Sequence, residues 1–254
     1  MKISLSVVII TFNEERNIGR CIDSVRDIAD DIVVIDSFSK DRTKEICLEK
    51  GVRFVEHAFE GHIQQKNFAI TQAAYPHVLS LDADEAPDEI LRESIRKVKE
   101  NFEADGYSMN RLTNYCGHWV RHCGWYPDRK LRLWDSRKGQ WTGLNPHDRY
   151  EMEQGSVIRH LPGDLLHYSY YTREDHLKQI QKFTNILAKS MFDAGRRTSW
   201  PGIIAVTVFK FIRDYILKLG ILDGKAGFTI SWLSAGASFK KYRKLLLLQK
   251  NKSK

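Results

Sequence analysis

The 254-residue sequence predicts an α/β fold with a mainly parallel sheet and a helical C-terminal extension, on three observations. Short β-branched runs alternate with segments of helical periodicity through the N-terminal part. One of these runs, Val78-Leu79-Ser80-Leu81, passes directly into the acids Asp82, Asp84 and Glu85. From Arg196 onward the chain turns basic and aliphatic, with 13 Lys or Arg against Asp214 and Asp223, a net of +11 that leaves residues 1–195 at −3 within an overall +8.

Ile3 to Ile10 includes Val7, Val8, Ile9 and Ile10 and reads as a buried parallel strand. With one Lys before it and no small-residue cleavage site after it, the run does not read as a signal peptide. Ile18, Cys21, Ile22, Val25 and Ile28 then share one helical face. Asp31 to Ile35 forms the second strand, and Asp41 is placed to cap a helix closed by Gly51. Val52 to Val55 is a third strand, and a helix from His62 to Ala74 is stopped by Pro76 before the strand that carries the acids. Alternation of this kind predicts right-handed crossovers. Between Gly106 and Tyr171 the pattern changes to short β-like pieces, such as Tyr107 to Asn110, Lys130 to Trp134 and Ser156 to His160, before a helix from Glu174 to Ala194.

The four cysteines form no paired framework, and Cys21 and Cys47 sit on apolar helix faces, so a reducing cytoplasmic setting is expected. Cys116, His118, His122 and Cys123 fall within eight residues, too short a run to wrap a tetrahedral zinc ion easily.

A strand delivering Asp82 and Asp84 to its C-terminal end reads either as a site for a hard cation and a diphosphate, or as an acidic start to the helix after Pro87 and Asp88. The first turn, Thr11-Phe12-Asn13-Glu14-Glu15, has no glycine, which excludes the dinucleotide fingerprint and the P-loop. Such a loop suits a base or ribose, held through Thr11, Asn13 and Glu14, with phosphates left to a metal. Asp36, ending the second strand, either accepts from a pyrimidine or ribose or opens a turn.

These three ordered segments resemble the family-2 glycosyltransferases of the GT-A fold: Ser6 to Glu15, Ile35-Asp36-Ser37 with Ser39 and Asp41, and Leu81-Asp82-Ala83-Asp84-Glu85. Ile10 departs from the proline usual in that family. The resemblance implies that Thr11, Phe12, Asn13, Glu14, Asp36 and Ser37 line a uridine pocket and that Lys66 reaches the nucleotide. It places the Asp82-Ala83-Asp84 segment at the donor, with Asp82 on ribose or metal and Asp84 as the firm ligand for Mn²⁺ or Mg²⁺. Trp141-Thr142-Gly143-Leu144-Asn145-Pro146-His147-Asp148 occupies the place of the family's base, which makes Asp148 that base although glutamate is usual. Leu165-Leu166-His167-Tyr168 resembles the late His strand and offers His167 as a further metal ligand.

The tail from Trp200 is similar to that of the lipopolysaccharide-core β-glucosyltransferases of the family. Its Gly202 to Leu219 stretch is apolar with Lys210, Arg213, Asp214 and Lys218 on one stripe, and Ala226 to Phe239 is a second apolar stretch. No charge-free run reaches the ~20 residues of a spanning helix. The expected organisation is a catalytic domain over 1–195, with a donor half 1–105 and an acceptor half 106–195, and an amphipathic basic tail over 196–254. The expected reaction is inverting transfer of a hexose, glucose by this likeness, from a UDP-sugar to a lipopolysaccharide-core or other lipid-linked glycan, on the inner face of the cytoplasmic membrane. The expected partners are the UDP-sugar, the acceptor and an anionic membrane surface. Nucleic acid is not among them, because the tail lacks stacking aromatics on a polar surface. The C-terminal helices could also join copies of the chain. Competing readings are a nucleotidyltransferase, disfavoured by the missing phosphate loop, and a catalytically inactive membrane-surface module.

Overall fold

The computed structural model describes residues 1–144 and 147–252. The alternation read from the sequence becomes β1 (Leu5–Thr11), α1 (Ile18–Val25), β2 (Asp31–Asp36), α2 (Thr43–Glu49), β3 (Arg53–Glu56), α3 (His62–Thr71) and β4 (His77–Asp82). β1 to β4 are parallel, in the order β3-β2-β1-β4. The order reverses beside β1, so a crevice opens between the C-terminal ends of β1 and β4, where Ile10 pairs with Asp82 and Thr11 with Asp36. Val7, Ile9, Leu79 and Leu81 on one sheet face pack with Ile18, Cys21, Ile22 and Val25 of α1, all buried. Val8, Val33, Ile35 and Val78 on the other face pack with Ala69 of α3. Burial on both faces is why these strands are continuous apolar runs.

The chain continues as β5 (Glu85–Pro87), α4 (Glu89–Glu100), β6 (Gly106–Tyr115), β7 (His118–Trp119), β8 (Asp128–Asp135), β9 (Gly139–Leu144), β10 (His147–Met152) and β11 (Ile158–Tyr170). The sheet continues past β4 in the order β8-β6-β11-β5, with antiparallel pairings at β4/β8, β6/β8 and β11/β5. Asp88 caps α4 by accepting from the Leu91 amide at 2.7 Å, as its place after Pro87 suggested. α2 starts differently from expectation. Arg42 is at its cap position without a side-chain bond, and the Asp41 carboxylate instead receives the Thr43 amide at 3.1 Å.

The chain divides into two compact units, residues 1–111 with 128–168, and residues 112–127 with 169–254. The second unit contains α5 (Arg173–Asp193), α6 (Trp200–Ile212) and α7 (Gly224–Lys252). α5 and α6 both pack on α7, so the helix expected to close the catalytic part is held by the tail. The expected helix from Gly202 to Leu219 is α6 followed by a π-helical turn, Arg213–Leu217, and a 3₁₀ turn follows at Gly220–Asp223. Asp214 in this turn, buried to 1% exposure, pairs with Lys210 at 2.7 Å and Arg213 at 2.9 Å. Of the charged stripe, Asp214 therefore faces protein with Lys210 and Arg213 part-buried against it, while Lys218 is exposed, as are Ile204, Val208, Phe209, Ile212 and Ile216. Phe211, Tyr215, Phe228 and Trp232 join α6 and the π-helical turn to α7 through ring contacts of 5.4–6.3 Å.

Candidate active site

The crevice lies within the first unit. Its rim consists of the loop after β1 tied to the loop after β2. The Asn13 amide donates to Ser39 Oγ at 2.8 Å and Asn13 Oδ1 accepts the Lys40 amide at 2.7 Å, while the Glu14 and Glu15 amides donate to Thr43 and Asp41 at 2.8 and 3.0 Å. Asn13 has a left-handed backbone, φ 54°, a conformation that asparagine tolerates better than most residues. Phe12 is exposed on this rim. The Asp36 carboxylate accepts from the Ser39 amide at 2.7 Å and pairs with its hydroxyl, and Ser37 Oγ accepts from Gln65 at 3.1 Å. Asp36 thus braces its own loop, the turn-opening half of its sequence reading. Thr11 Oγ1, buried at the end of β1, has no partner among the described residues.

The acids after β4 are separated by their surroundings. Glu85, 1% exposed, accepts the Asp82 amide at 3.0 Å and Arg132 at 2.6 Å, and Arg111 stands at 3.5 Å. Asp82 is held by Arg132 at 2.9 Å and Lys66 at 3.3 Å. Lys66, itself buried, also reaches Asp148 at 2.7 Å and lies 4.4 Å from the centre of the Trp141 ring. A chain of opposite charges therefore runs Asp148, Lys66, Asp82, Arg132, Glu85. Buried charges of this kind persist only when each has a partner, because an isolated one costs several kcal/mol. Ala83 is buried between the two aspartates.

Asp84 stands outside that chain. β11 runs antiparallel to β5 with His167 opposite Glu85, and the Tyr168 amide donates to the Asp84 carbonyl at 2.9 Å. This stitching brings His167 Nε2 to 3.1 Å from Asp84 Oδ2. Asp148 comes from β10, antiparallel to β9, with Asp148 opposite Gly143. Residues 145 and 146 of its motif lie outside the described residues. The Trp141 end of the motif is anchored by Asn67 of α3, which accepts from the Trp141 amide and donates to its carbonyl, both at 2.9 Å.

Electrostatics follow from these partners. Burial alone would raise the Asp82 pKa, but Lys66 and Arg132 outweigh it and hold the carboxyl well below its ordinary value. Burial raises Glu14 to about 7, with repulsion from Asp84 and Asp41 adding and the Asn17 hydrogen bond opposing. Burial would lower His167, but the Asp84 carboxylate prevails and the imidazole is held above its ordinary value.

A carboxylate and an imidazole converging at 3.1 Å suit a divalent cation that takes its other ligands from a diphosphate and water. Asp82 suits it less, since two cations already hold its carboxylate. Among the described residues there is no group of three or more His, Cys, Asp or Glu arranged to hold a metal ion by itself. In the Cys116 to Cys123 run, His118 and His122 both turn to Asp223, at 3.3 and 3.1 Å.

A mainly parallel sheet whose order reverses at β1, with an acid pair after β4 and antiparallel strands beyond it, is the GT-A arrangement. Residues 6–176 match Glycosyl transferase family 2, well over half of the chain. The chain belongs to that family and is a glycosyltransferase. It is 26% identical over 259 residues to the lipopolysaccharide core biosynthesis glycosyltransferase LpsC of Rhizobium meliloti, covering 95% of this chain and 94% of the relative. An uncharacterized glycosyltransferase of Rickettsia typhi, RT0209, is 26% identical over 251 residues, 95% of this chain and 86% of the relative. Among solved structures, glucosyl-3-phosphoglycerate synthase from Mycobacterium tuberculosis, in complex with Mn²⁺, UDP and glucosyl-3-phosphoglycerate, is similar over 44% of each chain at 21% identity, with a TM-score of 0.38.

Sequence reasoning missed Arg132, Arg111 and the structural part played by Glu85. The signal was present. Arg111 and Arg132 are cations within otherwise β-like, partly apolar segments, and a buried cation in a strand requires a buried acid.

Proposed function

We propose that the protein transfers a hexose, glucose in our reading, from a UDP-sugar to a lipopolysaccharide-core or other lipid-linked glycan, with inversion. The observation that carries this reading is the separation of two acids: Asp84 paired with His167, and Asp148 paired with Lys66. Asp84 and His167 would hold Mn²⁺ or Mg²⁺, which supplies positive charge against the diphosphate leaving group. Thr11 Oγ1, an unpartnered hydroxyl at the end of β1, offers a hydrogen bond to the nucleoside, beside Phe12, Asn13, Glu14 and Ser37. Lys66 has two roles in this reading. It neutralises Asp148 and Asp82 before the donor arrives, and it stands ready to bind phosphate oxygens afterwards. Asp148 then takes the proton of the acceptor hydroxyl as that oxygen attacks the anomeric carbon, so one displacement inverts the centre. The likeness to LpsC supports the choice of acceptor. The test is UDP release from UDP-glucose with extracted core glycolipid, followed by linkage analysis of the product. No release above the acceptor-free rate, with several UDP-sugars tried, removes this reading.

We also propose that the part after residue 195 rests on an anionic membrane surface from the cytoplasmic side, as a functional region distinct from 1–195. No described helix is long and apolar enough to cross a membrane. Of the 24 large apolar side chains that are exposed among the described residues, 14 lie from Trp200 onward, within the stretch from Arg196 that carries the excess of 11 positive charges. Apolar exposure together with basic charge is the pattern of a surface lying in the lipid interface.

A further inference from the structure

The second unit contains a cavity of ≈620 Å³ whose lining includes Cys116, His118, Arg173, Leu222, Lys225 and Thr229. Its volume is in the range of small-molecule sites. The side chains of Arg173 and Lys225, both exposed, have no hydrogen-bond or ion-pair partner among the described residues, and each lines the cavity. Three acids lie nearby: Asp223, which also lines the cavity, and Asp175 and Glu174, whose charges reach Cys116. Asp223, 6% exposed, accepts the His122 amide at 2.9 Å and the Arg121 amide at 3.4 Å and contacts the imidazoles of His118 and His122. Asp175 accepts the Thr172 amide at 2.9 Å to close the cap of α5, and Glu174 is exposed to solvent. The first turn of α7, Gly224 to Ala226, also lines the cavity and adds the positive end of that helix to the two side-chain cations. Beside them Leu222 is 64% exposed, with Leu219 and Ile221 exposed next to it in sequence. Two unpaired cations with a planar fork and a point charge match a phosphate, and an apolar shoulder matches the chain attached to one.

We propose that this cavity binds the phosphate ester of an amphiphile, with Arg173 and Lys225 on the phosphate and Leu222 against the apolar part. The proposal rests on the membrane reading above only for the source of the ligand. Phosphate recognition itself stands on the cavity.

The test uses the full chain, saturated with UDP and Mn²⁺ so that the catalytic crevice is filled. Dihexanoyl phosphatidic acid below its micelle concentration, dihexanoylglycerol and inorganic phosphate are titrated calorimetrically into wild type and the R173Q/K225Q variant. Wild type should bind the phosphatidic acid saturably, and the variant at least about tenfold more weakly, from the loss of two charge-assisted hydrogen bonds. Equal affinity for inorganic phosphate, lost in the same variant, supports the phosphate site and assigns it a soluble source. Absence of binding by both phosphates, binding unchanged in the variant, or equal binding of dihexanoylglycerol overturns the proposal. UDP-sugar binding and hydrolysis, measured on UDP-free preparations of the same two proteins, report separately on the transfer reading. Neither cation belongs to that machinery, so both should be unchanged in the variant.

Discussion

At the residue scale, Asp148 and Lys66 define the sharpest expectation. Asp148→Asn keeps the shape and removes the basicity, so turnover should fall by about 10² to 10⁴ with UDP-glucose affinity little changed. Near-normal turnover in a steady-state assay would move the base elsewhere. Asp84→Ala removes an oxygen ligand and should abolish metal-dependent UDP binding in calorimetry. Retained Mn²⁺-dependent affinity would exclude Asp84 as ligand. Glu14 gives a pH prediction with a definite sign. Its folded pKa of about 7 exceeds the ordinary 4.5, so between those values the folded state holds more protons than the unfolded one. Stability should therefore fall as pH rises through that window, by on the order of 2–3 kcal/mol. Glu14→Gln lacks this loss. In EDTA, its melting temperature should match wild type near pH 4 and exceed it at pH 8, and parallel melting curves across pH would refute the assignment. The roles of Thr11, Asp82, Asp84, Asp148 and His167 were suggested by their order in the sequence. The partners of Asp82 were not, because Lys66, Arg132 and Glu85 come from three separate elements whose approach depends on the folded sheet.

At the element scale, the parallel half was legible because two-sided burial writes strands as unbroken apolar runs. The antiparallel half was less so. Ser156 to His160 and the later His strand read as separate pieces because Pro162-Gly163 is ordinarily a break. In the structure they are one strand, β11, and Gly163 carries it past α4 with φ 98°. A Cβ at Gly163 would stand 2.2 Å from the Leu91 amide nitrogen. Gly163→Ala should accordingly cost more than about 2 kcal/mol, read as a lowered denaturation midpoint with unchanged slope. An unchanged midpoint would mean that the backbone there relaxes freely. α7 contains the apolar stretch Ala226 to Phe239 and runs on past it because Lys240, Lys241, Arg243, Lys244 and Leu245 to Leu248 are all good helix formers.

At the scale of the whole molecule, composition located the basic excess but not the direction in which α6 faces. A stripe of charge on an apolar helix is ordinarily assigned to water, and here Asp214 draws Lys210 and Arg213 inward instead. The expected consequence is measurable in the full chain. Phe209→Ser with Ile212→Ser should weaken co-sedimentation with anionic vesicles by at least about tenfold, since each inserted side chain contributes about 1.5–3 kcal/mol. Substitution is a cleaner test than removing the tail, because α5 packs on α7 and truncation would strip its partner. Equal pelleting of the variant would assign the exposed surface to another use.

The inward turn of Asp214 also bears on how the protein behaves in solution. A freshly synthesised chain presents Ile204, Val208, Phe209, Ile212 and Ile216 to water with no covering element of its own unit. In detergent-free buffer these side chains should find each other on neighbouring copies, giving a concentration-dependent rise in apparent mass on gel filtration that a mild detergent reverses. Storage and handling would then both be governed by the same five residues.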